Sequence, residues 1–379
     1  MHTGVLCVNI CVAIEKFDPS VGGAERYCWD FAHFLAERGH NVAVICMKAK
    51  DPLHPSIHII EVMCMRFPQA LRHVTFALKH YLTARSLPDH IHFCVGNTVY
   101  MDIYQPHGGL HRAWFVRETQ RYTPAARKLI RLIKRLSLKD IVQRLMEWWT
   151  FAIAKPQVIA ISKMVASDIM RFFSYPQDRV HLIPNGVDTR KYHPRNKISR
   201  EEIRKRYGLD SDAYVFLFVA QNSRLKGYNL LLDACRMPSS HPFCVLVVGP
   251  YDTGMRRAAE DLGGRVVFAG RADDLHKIYP ACDCLVHPSY YDSFSLVILE
   301  ALASGIPVIT TQATGAKMFV TDENGIVVPP GDTDALVDAM NSIYSMRENM
   351  RVESSGTRDQ NIVFQEVEDL LIRYEKSDS

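Results

Sequence analysis

Two carboxylates stand out in the stretch YYDSFSLVILEALASGIPVITT, which runs from Tyr290 to Thr311. Asp292 stands at the mouth of a predicted helix. Glu300 stands among Leu, Val, Ile and Ala residues, where an ionised acid destabilises the fold unless something binds it. Their separation corresponds to about 12 Å along a helix, so each acid is in reach of hydroxyl groups at a different end of one ligand. The alternative is structural: Asp292 caps the helix and Glu300 pairs with a core arginine.

The start of that helix is also a candidate anion site. We predict that the helix begins near Ser293, which leaves the N–H groups of Phe294, Ser295 and Leu296 without helical partners. The helix dipole favours negative charge at the same place, so a phosphate group fits there. A nucleotide sugar has the matching order of parts, because its diphosphate separates a ribose from a hexose.

Two cations follow a strongly apolar strand in VAQNSRLKGYNLLLDA, residues Val219 to Ala234. Arg224 and Lys226 lie in the loop at the carboxyl end of that strand, where parallel sheets bind ligands. Positive charge there neutralises a departing diphosphate, as group transfer from a nucleotide sugar requires. The alternative is a pair of solvated loop charges.

The first half of the chain offers two glycine-flanked candidates. Gly22 and Gly23 open a helix and let the backbone approach a ligand, although GxGxxG is missing. His107 precedes two glycines in DIYQPHGGLHRAWF and is in reach of a sugar or phosphate oxygen if a cleft opens there. A plain helix-entry turn and a structural histidine are the alternatives.

A basic segment covers residues 111–149. Between His111 and Glu147, ten Lys and Arg residues face three acids, a local net charge of +7 against +4 for the chain. On a helical wheel the cations share one arc and the aliphatic residues the opposite arc, which is typical of a helix lying on an anionic membrane. A solvated helix packed on the domain is the alternative, and nucleic acid is disfavoured because no binding fold accompanies the patch. The two arcs are Arg127, Lys128, Arg131, Lys134 and Arg135, and Leu129, Leu132, Ile133 and Leu136.

Composition indicates a globular protein of two domains. The chain has 379 residues, 47% of them apolar and 23% charged, and it lacks the apolar run of about 20 residues that spans a bilayer. The amino terminus lacks a basic region typical of a signal peptide. The ten cysteines form no CxxC pair, so we expect reduced thiols, no structural metal and a cytosolic protein.

Strands and helices alternate through both halves, which predicts an α/β fold of two Rossmann-like domains with parallel sheets facing across a cleft. We expect an acceptor-binding domain over 1–183, a nucleotide-sugar-binding domain over 184–358, and a helix over 359–379 that packs on either. The charged stretch Asp188–Arg206 is interpreted as the linker. The predicted strands are Val5–Ile10, Asn41–Cys46, Ile57–Val62, Ile91–Cys94, Gln157–Ala160, Val180–Ile183, Ala213–Ala220, Phe243–Val248, Val266–Phe268, Cys284–His287, Pro307–Thr310 and Ile326–Val328.

With these motifs, the sequence resembles the retaining family 4 glycosyltransferases of the GT-B fold over nearly its whole length. The resemblance rests on VHLIPNGVD at Val180–Asp188, RLKG at Arg224–Gly227, and HPSYYDSFSLVILEALASGIPVITT. DIYQPHGGLHRAWF, together with YYDSFSLVILEALA, is similar to the lipopolysaccharide core glucosyltransferases (glucosyltransferase I type) of Gram-negative bacteria.

The resemblance implies a role for each matching position. Glu300 would hold the ribose, Asp292 would face the donor sugar, and the amides of Phe294 and Ser295 would hold the diphosphate. Arg224 and Lys226 would stabilise the leaving group, and the backbone at Arg271 and Ala272 would meet the base. Gly22, Gly23 and His107 would come from the acceptor side. Transfer would retain configuration without a metal, with the diphosphate assisting deprotonation of the acceptor.

Three positions depart from the family pattern. Asp292 stands where the family has Glu, Ser295 where Gly is common, and Gln221 where an Arg precedes Lys226. The shorter acid could alter hexose preference, and Arg224 is the substitute cation.

The resulting hypothesis is hexose transfer from UDP-glucose to a lipid-linked core oligosaccharide, by a peripheral enzyme on the inner face of the cytoplasmic membrane. Another glycan or lipid acceptor fits the same residues. A UDP-sugar epimerase, which needs no acceptor, and a non-catalytic nucleotide-sugar-binding protein are the alternatives from other classes.

Overall fold

The computed structural model describes residues 7–52, 54–347, 350, 352 and 356–378. The chain divides into two compact units, one up to Pro184 together with the residues from Asn361, and the other from Asn185 to Gln360. Each unit has its own parallel sheet. The prediction of two Rossmann-like domains with parallel sheets is confirmed.

The first unit is a seven-stranded parallel sheet with helices against it. The strand order is β5-β3-β1-β6-β7-β8-β9, and the short strands β2 and β4 pair with each other. Its strands are β1 (Asn9–Ala13), β2 (Lys16–Phe17), β3 (Asn41–Cys46), β4 (Lys48–Ala49), β5 (Ile57–Glu61), β6 (Ile91–Cys94), β7 (Ile103–Tyr104), β8 (Gln157–Ala160) and β9 (Val180–Leu182). Its helices before the last are α1 (Gly23–Glu37), α2 (Gln69–Ala84), α3 (His111–Glu118), α4 (Pro124–Arg135), α5 (Leu138–Trp148) and α6 (Lys163–Phe173).

The predicted strand bounds hold best where a strand is buried on both faces. β3, β6 and β8 have the predicted ends. The first strand was placed too early, since β1 runs from Asn9 to Ala13 and all its residues from Ile10 onward are buried; Val5 and Leu6 lie outside the described residues. The two-residue strand β7 was not predicted, because so short a strand carries no periodic signal.

The second unit is a six-stranded parallel sheet in the order β12-β11-β10-β13-β14-β15. This is the doubly wound order, in which the chain reverses direction across the sheet between β10 and β13 and leaves a crevice at their carboxyl ends. The strands are β10 (Tyr214–Val219), β11 (Phe243–Val248), β12 (Val266–Gly270), β13 (Cys284–His287), β14 (Val308–Thr311) and β15 (Gly325–Val328). The helices are α7 (Arg200–Arg206), α8 (Tyr228–Arg236), α9 (Thr253–Ala258), α10 (Leu275–Ile278), α11 (Leu296–Ala303) and α12 (Thr333–Met346).

The stretch Asp188–Arg206 is not a linker. Its end forms α7, and Arg204 is buried, donating to the carbonyl oxygens of Ala281 and Ala213 and to the carboxylate of Asp283. Arg200 donates to the other oxygen of Asp283 at 2.6 Å. The linker prediction was wrong because these charges are satisfied by groups far along the chain within the second unit.

The last helix, α13 (Gln360–Asp378), packs on the first unit. Val363, Phe364 and Val367 lie in the same core as α1 and β1. The buried carboxylate of Glu368 accepts hydrogen bonds from Arg38 and His40 at 2.7 Å each. His40 accepts the N–H of Val8 at its other ring nitrogen, so its proton lies on the side facing Glu368. This buried network, together with the apolar contacts, holds the helix in place.

Candidate active site

Two loops meet at the carboxyl ends of β10 and β13 in the second unit. The Tyr290 N–H donates to the carbonyl oxygen of Leu225 at 3.0 Å, and the Ser289 hydroxyl donates to the same oxygen at 3.3 Å. Gly227 makes this contact possible, because it has a φ of +84° and a β-carbon there would lie 2.1 Å from the Pro288 carbonyl oxygen. Both backbone conformation and space therefore require glycine at the end of RLKG.

Gly227→Ala is expected to lower the free energy of unfolding by more than about 1 kcal/mol and to displace Lys226, because the new methyl group meets backbone rather than a flexible side chain. Thermal melts and UDP titration of the purified variant measure both effects. Gly208→Ala is the matched control, since Gly208 also has a positive φ (+64°) but open space around it. Equal effects of the two substitutions would show that the contact with Pro288 does not matter.

Lys226 and Asp292 form the centre of the site. The Lys226 ammonium donates to Oδ2 of Asp292 at 2.5 Å, and both side chains are mostly buried. The fully buried ring of His287, the last residue of β13, places Nε2 3.1 Å from the same oxygen and 3.1 Å from the Ser295 hydroxyl. Lys226, predicted to contact the leaving diphosphate, and Asp292, predicted to face the donor sugar, thus form an ion pair.

The charges in this cluster are set by burial and by the lysine. Burial opposes ionisation of Asp292, but the Lys226 charge and the hydrogen bond from His287 outweigh it and hold the pKa of Asp292 well below its usual range. Burial lowers the pKa of His287, although Asp292 acts in the opposite direction. At neutral pH Asp292 is therefore ionised and the His287 imidazole is neutral.

Helix α11 begins later than predicted, at Leu296. The Asp292 carboxylate accepts the Phe294 N–H at 3.3 Å, and the Phe294 carbonyl oxygen accepts the N–H of Ala316. Phe294 therefore belongs to a turn before the helix, and Asp292 does not lie on the helix. The N–H groups of Ser295, Leu296 and Val297 have no hydrogen-bond partner in the described part of the chain, so the region that can receive an anion is shifted by one residue.

Ser295 precedes α11 with a φ of +80°. Such a conformation is strained for any residue with a β-carbon, which explains why a glycine suits this position. In this chain the Ser295 hydroxyl contacts the buried His287 ring. The departure from the family pattern thus adds a hydrogen bond inside the site at the cost of backbone strain.

Glu300 lies on α11 and is hydrogen-bonded rather than isolated in apolar surroundings. The hydroxyl of Tyr279 donates to its Oε2 at 2.6 Å. Tyr279 is fully buried, and burial together with the Glu300 charge raises the pKa of the Tyr279 hydroxyl well above its usual value, so it remains a donor. A fixed donor on one carboxylate oxygen orients the group. The alternative, in which Glu300 pairs with a core arginine, named a different residue type from the tyrosine found here.

The remaining predicted donor-site residues are more exposed. The Arg224 side chain lies at the surface of the Lys226 loop and makes no ion pair with any described residue. Arg271 and Ala272 follow β12, the edge strand of the same sheet, at its carboxyl end. His287 and Tyr279 were missed. A histidine ending a buried parallel strand is a usable signal, whereas nothing in the local sequence marks Tyr279.

In the first unit, the two predicted glycine-flanked sites lie at the start of α1 and after β7. Gly22 precedes α1 in an extended conformation with a φ of −173°, which any residue can adopt, and the nearest atom to a β-carbon there would be a Glu25 carboxylate oxygen at 2.8 Å. His107 follows β7 and is half-buried, with its ring 4.4 Å from that of Tyr27 on α1. Burial lowers the pKa of His107 to about 3, so the ring is neutral.

A pocket of about 380 Å³ lies next to His107 in the first unit. Loops after β6 and β7 form one side, and α3 and α5 form the other. Trp114 and Phe151 provide aromatic surface, while Asn97, Gln143 and Glu147 provide polar groups. Aromatic rings with a few amide and carboxyl groups are a lining that suits a sugar, which has both apolar C–H faces and hydroxyl groups.

Glu147 in this pocket is a buried acid with only loose pairing. Its carboxylate lies 3.5 Å from the Arg112 guanidinium and accepts the Arg112 N–H at 3.4 Å. Burial raises the pKa of Glu147 to about 7, against the weaker effect of these contacts. The protonated form is thus favoured by folding, and this contribution is lost as pH rises from the unfolded pKa through the folded one.

Glu147→Gln should therefore change the pH profile of stability. Relative to this variant, the wild-type free energy of unfolding is expected to fall by up to about 1.4 kcal/mol per pH unit between roughly pH 4.3 and 7. Urea unfolding across that range measures it. Glu201→Gln, which removes an exposed acid on α7, is the control. If its free energy of unfolding changed with pH in the same way as that of Glu147→Gln, the effect would not come from the burial of Glu147.

Helix α4 is amphipathic, but part of its basic side faces the protein and its aliphatic side faces outward. Arg131 donates to the Thr119 hydroxyl at 2.8 Å, and Lys134 donates to the Glu118 carboxylate at 2.7 Å, so part of the basic arc faces the protein. The opposite arc is exposed, at 58–72% for its four aliphatic residues. A helix packed on the domain would normally bury that arc. None of the described helices has the length and apolarity to cross a bilayer.

All ten cysteines are free thiols, most of them buried. In the described ranges, no three His, Cys, Asp or Glu side chains gather as a metal site would require. Metal-free chemistry remains a prediction.

Comparison with sequence families gives two adjoining matches that together span most of the chain. The family described as Glycosyltransferase Family 4 matches residues 21–191. The family described as Glycosyl transferases group 1 matches residues 199–359, which include the Lys226–Asp292 cluster.

Two curated relatives show the range of sequence similarity. An uncharacterized glycosyltransferase of Methanocaldococcus jannaschii is 33% identical over 208 residues, 51% of this chain and 52% of the relative. The lipopolysaccharide core biosynthesis mannosyltransferase LpsB of Rhizobium meliloti is 27% identical over 270 residues, 66% of this chain and 74% of the relative. The chain spans about half the length of the first curated relatives it matches.

Two solved structures share the fold. WaaG, a glycosyltransferase involved in lipopolysaccharide biosynthesis, superposes with a TM-score of 0.80 at 21% identity over 96% of this chain and 99% of WaaG. HepE of Anabaena, solved in complex with UDP-glucose, superposes with a TM-score of 0.71 at 20% identity over 96% of this chain and 99% of HepE.

Proposed function

Because the chain belongs to the family 4 glycosyltransferases of the GT-B fold, we propose that it transfers a hexose from a UDP-sugar to a lipid-linked acceptor, with retention of anomeric configuration. We favour glucose as the hexose and the lipopolysaccharide inner core as the acceptor. The observation that carries the proposal is the Lys226–Asp292–His287 cluster beside the unpaired N–H groups of α11.

The donor site can balance the charge of a diphosphate. The N–H groups of Ser295 and Leu296 would receive phosphate oxygens at the start of α11. The Asp292 carboxylate alone would repel the donor, but Lys226 neutralises it in the structure. The exposed Arg224 would add a second cation. Glu300, oriented by Tyr279, would accept hydrogen bonds from the ribose hydroxyls. HepE, which shares the fold, is described as binding UDP-glucose.

The reaction would exchange one bond at the anomeric carbon for another on the same face. The bond from this carbon to the diphosphate oxygen breaks and UDP leaves with the electron pair. The acceptor hydroxyl oxygen bonds to the carbon, and its proton passes to a diphosphate oxygen. Lys226, Arg224 and the α11 amides would stabilise the negative charge that develops on UDP, so the mechanism we propose uses no metal.

The first unit would bind the acceptor. The pocket beside His107 suits a sugar, and the neutral His107 ring would act as a hydrogen-bonding group rather than as an acid. Both WaaG and LpsB are named for lipopolysaccharide biosynthesis, which supports a glycolipid acceptor.

The exposed aliphatic arc of α4 would enter the membrane interface. Lys128 and Arg135 on the same helix remain exposed and would meet anionic headgroups. Arg131 and Lys134 are instead used to hold the helix on the protein. We therefore place the enzyme at the inner face of the cytoplasmic membrane, attached peripherally.

Radiolabelled UDP-glucose, incubated with and without truncated lipopolysaccharide, tests the proposal. UDP release that depends on the acceptor, with label in the lipid fraction, is the expected result. Conversion of UDP-glucose to another UDP-sugar without acceptor would indicate an epimerase, and binding without turnover a non-catalytic protein. Either of these last two outcomes would overturn the proposal.

A further inference from the structure

Helix α2 has apolar residues on two opposite faces. One face packs into the first unit through Phe76, Ala77 and Ala84. The other carries Leu71, Val74, Leu78 and Leu82, which succeed one another along one side of the helix and are all exposed. An apolar face of a helix is ordinarily buried against the core, yet in the described part of the chain nothing covers this second face.

The loop before α2 continues the exposed apolar surface. Within five residues it presents Met63, Met65 and Phe67, which are 91%, 48% and 83% exposed. Single exposed apolar residues are ordinary, but a group of this size next to the stripe of α2 marks an interaction surface.

Charge indicates the partner. From Val62 to Pro88 the sequence contains no Asp or Glu. It contains four cations, Arg66, Arg72, Lys79 and Arg85, and of these Arg66, Lys79 and Arg85 are exposed while Arg72 lies 3.7 Å from Glu15. An apolar stripe with basic borders and no acid suits an anionic lipid surface. The same face on a second copy would bring like charges together.

The stripe also adjoins the exposed surface of the basic segment. Helix α2 packs beside α5, and α5 packs beside α4. Helix α5, between them, itself exposes Ile141, Leu145 and Trp148.

We propose that α2 and its preceding loop, residues 63–85, form a second membrane-binding element, in addition to α4. This inference rests on the membrane attachment in the proposed function. Met63, Met65 and Phe67 enter the interface of an anionic bilayer, the α2 stripe lies along it, and Arg66, Lys79 and Arg85 contact the headgroups.

Methionine oxidation provides a direct test on the full chain. The protein is treated with dilute peroxide alone and with vesicles of phosphatidylcholine and phosphatidylglycerol, and sulfoxide is measured by peptide mapping. Vesicles are expected to slow the oxidation of Met63 and Met65. Met237 in the second unit is the control, because it is 41% exposed and its rate should not change. Unchanged rates at Met63 and Met65, with the protein bound to the vesicles, would overturn the inference.

A matched pair of double variants tests the apolar stripe of α2 itself. Leu78→Ser/Leu82→Ser is expected to weaken vesicle binding by about tenfold or more, because two apolar side chains no longer enter the interface. Ile198→Ser/Ile362→Ser, which changes two exposed aliphatic residues elsewhere (93% and 58% exposed), should bind as the wild type does. Equal binding by the two variants would contradict the role of α2.

Three further outcomes are distinguishable. If the wild type fails to bind anionic vesicles, both the membrane attachment and this inference fall, whereas transfer to acceptor in detergent tests the chemistry separately. If sedimentation shows a wild-type dimer that Leu78→Ser/Leu82→Ser dissociates, the surface binds a second copy and the inference is wrong. If Leu78→Ser/Leu82→Ser loses vesicle binding but transfers hexose in detergent as the wild type does, the result supports the role of α2.

Discussion

Lys226→Met is expected to reduce kcat/KM for hexose transfer by about 10²- to 10³-fold, the usual effect of removing one group that stabilises developing negative charge. The loss has two physical causes. The leaving diphosphate loses its cation, and Asp292, which the ammonium contacts at 2.5 Å, becomes an unneutralised carboxylate next to the donor. Steady-state rates of UDP release measure the effect.

Controls separate charge from folding. Lys205→Met removes an exposed cation on α7 and should leave the rate unchanged. Lys226→Met leaves a mostly buried acid without its partner, so the variant should also be less stable. Adding Asp292→Asn should restore stability but not activity. If Lys226→Met kept kcat/KM within about threefold of wild type, the assigned role would be wrong.

Glu300→Ala should weaken UDP binding by about 10- to 100-fold, the range expected when charged hydrogen bonds to hydroxyl groups are lost. Calorimetric titration measures this. UDP lacking both ribose hydroxyls provides the sharper comparison, because it should bind the variant and the wild type equally. Tyr279→Phe removes only the hydroxyl that orients Glu300, so its effect should be smaller and in the same direction.

One result would contradict the ribose role of Glu300. If Glu300→Ala lowered the melting temperature but left UDP affinity unchanged, the carboxylate would serve Tyr279 and the fold alone. Thermal melts of both variants without ligand are therefore recorded beside the titrations.

Much of the sheet was predictable because strands buried on both faces give continuous apolar runs. β3, β6, β8, β11 and β13 have the ends that the sequence indicates. The start of α11 was not predictable. Its position depends on the turn at Phe294, whose carbonyl oxygen is held by Ala316, and such a contact leaves no periodic signal.

For α4, the sequence indicates two arcs but not their orientation. Burying the aliphatic arc would be the default for a helix on a domain. The side chains of Glu118 and Thr119 bind Lys134 and Arg131, and these contacts turn the aliphatic arc outward. The same reasoning applies to Arg204, since its partners Ala281 and Asp283 lie 77 and 79 residues further along the chain.

The sequence by itself determined the alternation of strands and helices and the residues at the carboxyl ends of β10 and β13, because hydrophobic period and loop position are local properties. Only the tertiary structure decided that Lys226 pairs with Asp292, that His287 joins them, and that Tyr279 orients Glu300. For the Lys226–Asp292 pair, the physical reason is strand order. β10 and β13 are neighbours in the sheet but distant in the chain, so no local pattern encodes which side chains meet across them.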